Sequence, residues 1–281
     1  MKYFISFEST TLFGNEKWLL QKPEVCGVLL FSRNILSLET TKKFINEIKT
    51  VRPDIKIAVD EEGGIVSRFA HLMPNFSQPY IATLPLPEVR EFYKNRSEFL
   101  KNIGIDINFA PVVDVVLSEN SYMYKRSYGS DIDNVVALSK ICIEEQKKAG
   151  ILSCVKHFPG HGRSTENSHE KLPVVNISQE EWNNLELEVF EGVIKSDPEY
   201  VMVGHLLFPQ INSQIASVSN YWITNILKGQ LNFKGKVISD DICMKGLYGS
   251  VDATNLKVFE DVGLDELIIS DQKHPILTRL A

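Results

Sequence analysis

Eight short apolar runs recur along the chain, and the longer stretches between them carry apolar residues three and four positions apart. The runs are Tyr3–Ser6, Gly27–Phe31, Lys56–Val59, Asp106–Phe109, Ser153–Lys156, Tyr200–Val203, Lys236–Ser239 and Glu266–Ser270. Segments such as GVLLF and KVIS are apolar throughout and do not alternate. That is the pattern of parallel strands covered on both faces. Between the runs, residues 87–103 place Val89, Phe92, Tyr93, Phe99 and Leu100 on one helical stripe, and residues 133–149 repeat the spacing. Residues 178–195 open with Ser178 and carry Glu181 three places on, a capping-box pattern; Leu185, Val189, Val193 and Ile194 form the expected inner face.

Eight strands alternating with helices predict an α/β fold, a (β/α)8 TIM-type barrel. An open doubly wound sheet is the other arrangement, but no glycine-rich GxGxxG or Walker turn supports it. No linker or repeat divides the chain, so residues 1–281 are expected to form a single barrel domain. The chain runs only to residue 281 after the eighth strand, so the last helix is expected to be short or missing.

Composition narrows the function. Among 281 residues, 43% are hydrophobic and 23% charged, with a net charge of −6 and no basic run. Nucleic acid and anionic membrane surfaces call for clustered Lys and Arg and are not expected partners. The first twenty residues lack an apolar core and a cleavage site, so they do not read as a signal peptide, and no window reaches the ~18 apolar residues of a membrane span. Cys26, Cys142, Cys154 and Cys243 are scattered, without CxxC spacing. They read as buried thiols in a reducing compartment, which favours the cytoplasm. The oligomeric state is not set by the sequence.

In such a barrel the active site lies at the carboxyl ends of the strands, and polar residues collect there. After the third strand comes VDEEGGIVSRF, with Asp60, Glu61, Glu62 and Arg68. After the fourth come NFAPVVDV and KRSYGSD, with Arg126. The fifth runs into KHFPGHGRSTENSH, which holds three of the chain's six histidines: His157, His161 and His169. The sixth meets His205 and the seventh ends in SDD. Singly, each has a plain reading: Asp241 as a helix N-cap, Arg68 or Arg126 as a surface ion pair, His205 as a core histidine. Their common position at strand ends favours a site.

No metal constellation is present, because Pro159 and Gly160 break the helix that would bring His157 and His161 onto one face; no metal or other cofactor is expected. GxSxG is absent. The remaining nucleophile candidates are carboxylates, Asp240 best placed, expected to stay ionised beside donors such as Lys156 and Arg126.

These motifs resemble glycoside hydrolase family 3, in particular the bacterial β-N-acetylhexosaminidases of peptidoglycan recycling. VDEEGGIVSRF is similar to that family's DQEGGRVQRF. GIDINFAPVVDV, KRSYGSD, KHFPGHG with its following SH, and VISDDICMKG also match in order along nearly the whole chain. The resemblance implies a retaining, two-step β-N-acetylglucosaminidase. Asp240 would be the nucleophile and His169 the acid/base, carried on a mobile loop. Asp60, Arg68, Arg126, Lys156 and His157 would bind the terminal N-acetylglucosamine. It also implies a small-molecule carbohydrate substrate, an N-acetylglucosaminyl-1,6-anhydro-muropeptide.

Two departures stand out. Asn167 takes the place of an Asp that would complete a catalytic pair with His169; an Asn can fix a ring orientation but supplies no negative charge. Ile65 replaces an Arg. Two other functions follow as alternatives: a glycoside phosphorylase of the same family, and a catalytically weakened sugar-binding barrel.

Overall fold

A computed structural model describes residues 1–247, 252 and 254–280. Eight parallel strands close on themselves in chain order: β1 Lys2–Ile5, β2 Val25–Leu30, β3 Lys56–Val59, β4 Ile107–Asn108, β5 Leu152–Phe158, β6 Tyr200–Val203, β7 Lys236–Asp241 and β8 Glu266–Ile269. β1 pairs with β8 through Tyr3 opposite Leu267 and Ile5 opposite Ile269, which closes the barrel. The fold is therefore the expected (β/α)8 barrel, and all eight apolar runs lie on its strands.

Alternation along each strand builds two apolar layers. Phe4, Leu29, Ala58, Ile107, Phe109, Cys154, Tyr200, Met202, Ile238 and Ile268 point inward and fill the barrel. Their neighbours, among them Ile5, Val28, Leu30, Ile57, Val155, Val201, Val237 and Leu267, point outward under the helices. Both faces are covered, which is why the strands read as unbroken apolar runs.

The long helices Leu86–Ile103 and Ile132–Ala149 match the expected 87–103 and 133–149 within a residue. Both end on a left-handed glycine, Gly104 and Gly150, which accepts that conformation without strain. The segment after β5 differs from expectation in its interior. Ser178 does cap it through a capping box with Glu181, but Asn183–Leu187 is a π-helical turn between Gln179–Trp182 and Glu188–Ile194. The extra residue rotates the buried face. Trp182, Glu186 and Leu187 turn inward, while Leu185 and Ile194 are only partly covered. Glu186 thereby meets Arg163, whose Nε donates to it at 2.6 Å. The last helix is a single turn, Pro275–Thr278. No helix among the described residues is long and apolar enough to cross a membrane. Cys142 and Cys154 are buried as expected; Cys26 and Cys243 are only partly covered, and all four thiols are free.

Candidate active site

The carboxyl end of the barrel opens into a cavity of about 340 Å3. Its floor is the top of the barrel core, Leu29, Met202 and Ile268. Around this floor stand seven of the eight expected site residues: Asp60, Arg68, Arg126, Lys156, His157, His169 and Asp240. They arrive from β3, β5, β7 and the segment after β4, separated by up to 180 residues of sequence (240 − 60 = 180). Asn167 does not line the cavity.

One ion network fixes the wall. Arg126 grips Glu62 with two donors, Nε to Oε2 at 2.8 Å and Nη2 to Oε1 at 2.7 Å. Lys156 lies 2.7 Å from the same Glu62 oxygen and 2.8 Å from Asp60. Arg68 reaches Asp60 from the other side at 3.4 Å. Burial alone would push the Glu62 carboxyl up, but Arg126 and Lys156 outweigh it and hold it well below the usual carboxylate range. Asp60 is lowered in the same way, burial being outweighed by Lys156 and then Arg68. Reciprocally, burial disfavours the Lys156 ammonium, yet Asp60 and Glu62 raise its pKa above the ordinary lysine value.

A second set of contacts orients His157. Its Nδ1 lies 2.8 Å from Asp114 Oδ2, and its Nε2 lies 3.3 Å from Arg126 Nη2. Asp114 also accepts the His161 N–H at 2.6 Å. Gly162 next in line passes so close to β4's extension that a β-carbon would stand 1.8 Å from Val115 O. The KHFPGHG stretch therefore leaves the barrel pinned on a buried aspartate, before turning outward.

Asp240, at the end of β7, is held below the ordinary aspartate value: burial, which alone would raise it, is outweighed by His157, His205 and His169. It was expected to be kept ionised by Lys156 and Arg126. Those cations are instead engaged with Asp60 and Glu62, and the surrounding histidines take the role. His205 donates through Nε2 to Asp241 O at 3.0 Å and receives Ser217 Oγ–H at Nδ1, 2.7 Å. Its place in the core fits the plain reading of that residue. Asp241 caps no helix. Its carboxylate accepts the Cys243 and Ser270 N–H groups, both at 3.1 Å, and ties the turn after β7 to β8.

The loop after His161 carries His169, exposed at the cavity rim. Asn167 was read as able to fix the orientation of the His169 ring. Its Oδ1 instead accepts the backbone N–H of His169 at 3.0 Å, and its Nδ2 donates to Glu170 at 3.3 Å. Ile65 is the exposed tip of the turn between Gly63 and Val66, 64% accessible, beside the mouth.

Asp114 and Tyr122 belong to this site and were not singled out from sequence, and Glu62 was named at its strand end without a role. Glu62 was visible in the EEGG motif. Asp114 had a signal of its own, a lone acid inside the apolar run VVDVV.

A closed parallel barrel with paired acids, cations and histidines around a cavity at its strand ends is the architecture of a barrel enzyme. The chain belongs to glycosyl hydrolase family 3: residues 10–265 match the N-terminal domain of that family. It is a glycoside hydrolase. A β-hexosaminidase of Haemophilus influenzae is 32% identical over 97% of this chain and 80% of its own length. One of Shewanella frigidimarina is 33% identical over 92% and 79%. Among solved structures, NagZ from Neisseria gonorrhoeae in complex with N-trifluoroacetyl-D-glucosamine superposes with a TM-score of 0.91 at 27% identity, covering 99% of this chain and 83% of that one.

Proposed function

We propose that the protein is a retaining exo-β-N-acetylglucosaminidase that removes terminal N-acetylglucosamine from anhydro-muropeptides in cytoplasmic peptidoglycan recycling, with residues 1–281 acting as one barrel domain. The observation that carries this reading is the sharing of one 340 Å3 cavity by Asp240 and His169. An ionised carboxylate beside the floor and an imidazole at the rim suit a double displacement.

In the first step an Asp240 oxygen attacks C1. The bond from C1 to the aglycone oxygen breaks, and that oxygen takes the proton of the His169 imidazolium. In the second step neutral His169 removes a proton from water, the water oxygen bonds to C1, and Asp240 leaves as carboxylate. A histidine suits both roles because its unperturbed pKa of ~6.5 is close to neutral pH. Asp60, Arg68, Arg126, Lys156 and His157 would hold the sugar hydroxyls and acetamido group, the salt-bridge network fixing their positions before substrate arrives. The β-hexosaminidase names of the relatives support the sugar; the muropeptide aglycone rests on the motif resemblance.

The test is Asp240→Ala on p-nitrophenyl N-acetyl-β-glucosaminide, with the anomer of the first-formed sugar read by proton NMR on the native enzyme. Turnover is expected to vanish in the variant, and the β anomer to form first. Undiminished turnover, or the α anomer first, would remove the nucleophile assignment.

A further inference from the structure

The loop that carries His169 is docked on the turn that follows Asp240. Ser168 is buried, and its carbonyl accepts the backbone N–H of Gly246 at 3.0 Å. Within the loop, the Glu170 and Lys171 N–H groups both bond Asn167 O, and the Asn167 side chain caps His169 N–H. Residues 167–171 are thus one compact, internally bonded turn. On the other side, the turn after β7 is fixed by Met244 N–H to Asp241 O at 3.0 Å and Leu247 N–H to Met244 O at 3.1 Å. The contact between Gly246 and Ser168 therefore sets the His169 turn in register with the strand end bearing Asp240.

Only glycine permits this approach. A β-carbon at 246 would lie 2.7 Å from Ser168 O and 3.2 Å from Lys171 O, both backbone atoms that no rotamer change can move. The backbone there is not left-handed, so contact and not conformation calls for glycine. At its stem the loop is held by Tyr122 N–H to Ser164 O at 2.9 Å. Beyond the turn the chain is tied again by Leu207 N–H to Pro173 O at 3.0 Å and Val175 N–H to Leu207 O at 2.8 Å, and the Gly246 contact holds the His169 turn itself between these two anchors.

We propose that Gly246 is a positioning residue that docks the His169 loop against the nucleophile strand, so that general acid catalysis depends on a glycine outside the cavity. This rests on the acid/base reading of His169, and the test separates the two. Native enzyme, Gly246→Ala and His169→Ala are compared on phenyl and 2,4-dinitrophenyl N-acetyl-β-glucosaminides. Phenolate leaves only with a proton; dinitrophenolate leaves without one. In Gly246→Ala, kcat/KM on the phenyl glycoside is expected to fall about 100-fold, within the range of general acid catalysis, with the dinitrophenyl value nearly unchanged. Azide, which attacks C1 of the glycosyl-enzyme without a base and yields the glycosyl azide, is expected to restore kcat on the dinitrophenyl substrate. The ratio of the two substrates on one sample does not depend on how much of it is folded. Equal losses on both glycosides, or none, would overturn the docking role if His169→Ala shows the leaving-group dependence. If His169→Ala does not show it, the acid/base reading and the inference fall together. Should Gly246→Ala give no folded protein, hydrogen exchange of the native Gly246 amide decides: protection is expected, and exchange at the unprotected rate overturns the dock.

Discussion

Glu62→Gln removes one charge and no volume from the centre of the cavity wall. In the native protein Glu62 is buried and takes two donors of Arg126 and the ammonium of Lys156, all within 2.8 Å. A glutamine offers one oxygen to those three donors, and its NH2 must then face a donor of Arg126 or Lys156. Arg126 would lose its paired carboxylate, and Lys156 would keep Asp60, which it shares with Arg68. Breaking a buried ion pair by removing one member costs about 3–5 kcal/mol. At about 2 °C per kcal/mol for a chain of this size, the melting temperature should drop by about 6–10 °C. The pH dependence follows from the lowered Glu62 pKa. A carboxyl whose folded pKa lies below its unfolded one stabilises fully above the unfolded value, ~4.3. That contribution drains away as pH falls toward the folded value. Differential scanning calorimetry of native and Glu62→Gln protein at pH 7 and at stepped lower pH should show a gap that is constant above about pH 5 and narrows below it. A gap under about 2 °C at neutral pH, or one that widens on acidification, would refute the claim that this network is held by the Glu62 charge.

Two further outcomes follow from the loop and the nucleophile. Asn167→Asp places a carboxylate where Nδ2 now donates to Glu170 at 3.3 Å, so on the phenyl glycoside it should gain less turnover than Asn167→Asp with Glu170→Gln; equal gains would show that repulsion at 170 is immaterial. Because Asp240 is held below the ordinary aspartate value, its ionised fraction stays complete until pH falls through that lowered value. The kcat/KM profile should therefore show no acid limb from this group between pH 7 and about 5, and a limb in that window that disappears in no other single carboxylate variant would refute the lowered pKa.

What could be read from the chain divides along a physical line. A strand buried on both faces must be apolar along its length, so each first polar residue after it marks a strand end; Asp60, Lys156 and Asp240 were legible for that reason. Which charges would meet was not legible, because pairing depends on barrel stagger and on where turns fold back. Lys156 sits on β5, yet its partners Asp60 and Glu62 follow β3, across β4. The cations taken from sequence as neighbours of Asp240 are drawn off by these carboxylates. The π-helical turn at Asn183–Leu187 left no mark in a sequence whose apolar spacing reads as an ordinary helix. The turn brings Glu186 against Arg163 at the stem of the His169 loop, a pairing that the spacing does not announce. Asn167 shows the same limit in a single side chain. Its identity announced a missing charge beside His169, while its capping of the His169 amide depends on a five-residue turn that no residue type specifies alone. Asn167 and Gly246 thus act on the loop in different ways: one closes the turn through the His169 amide, the other fixes where that turn stands against the end of β7.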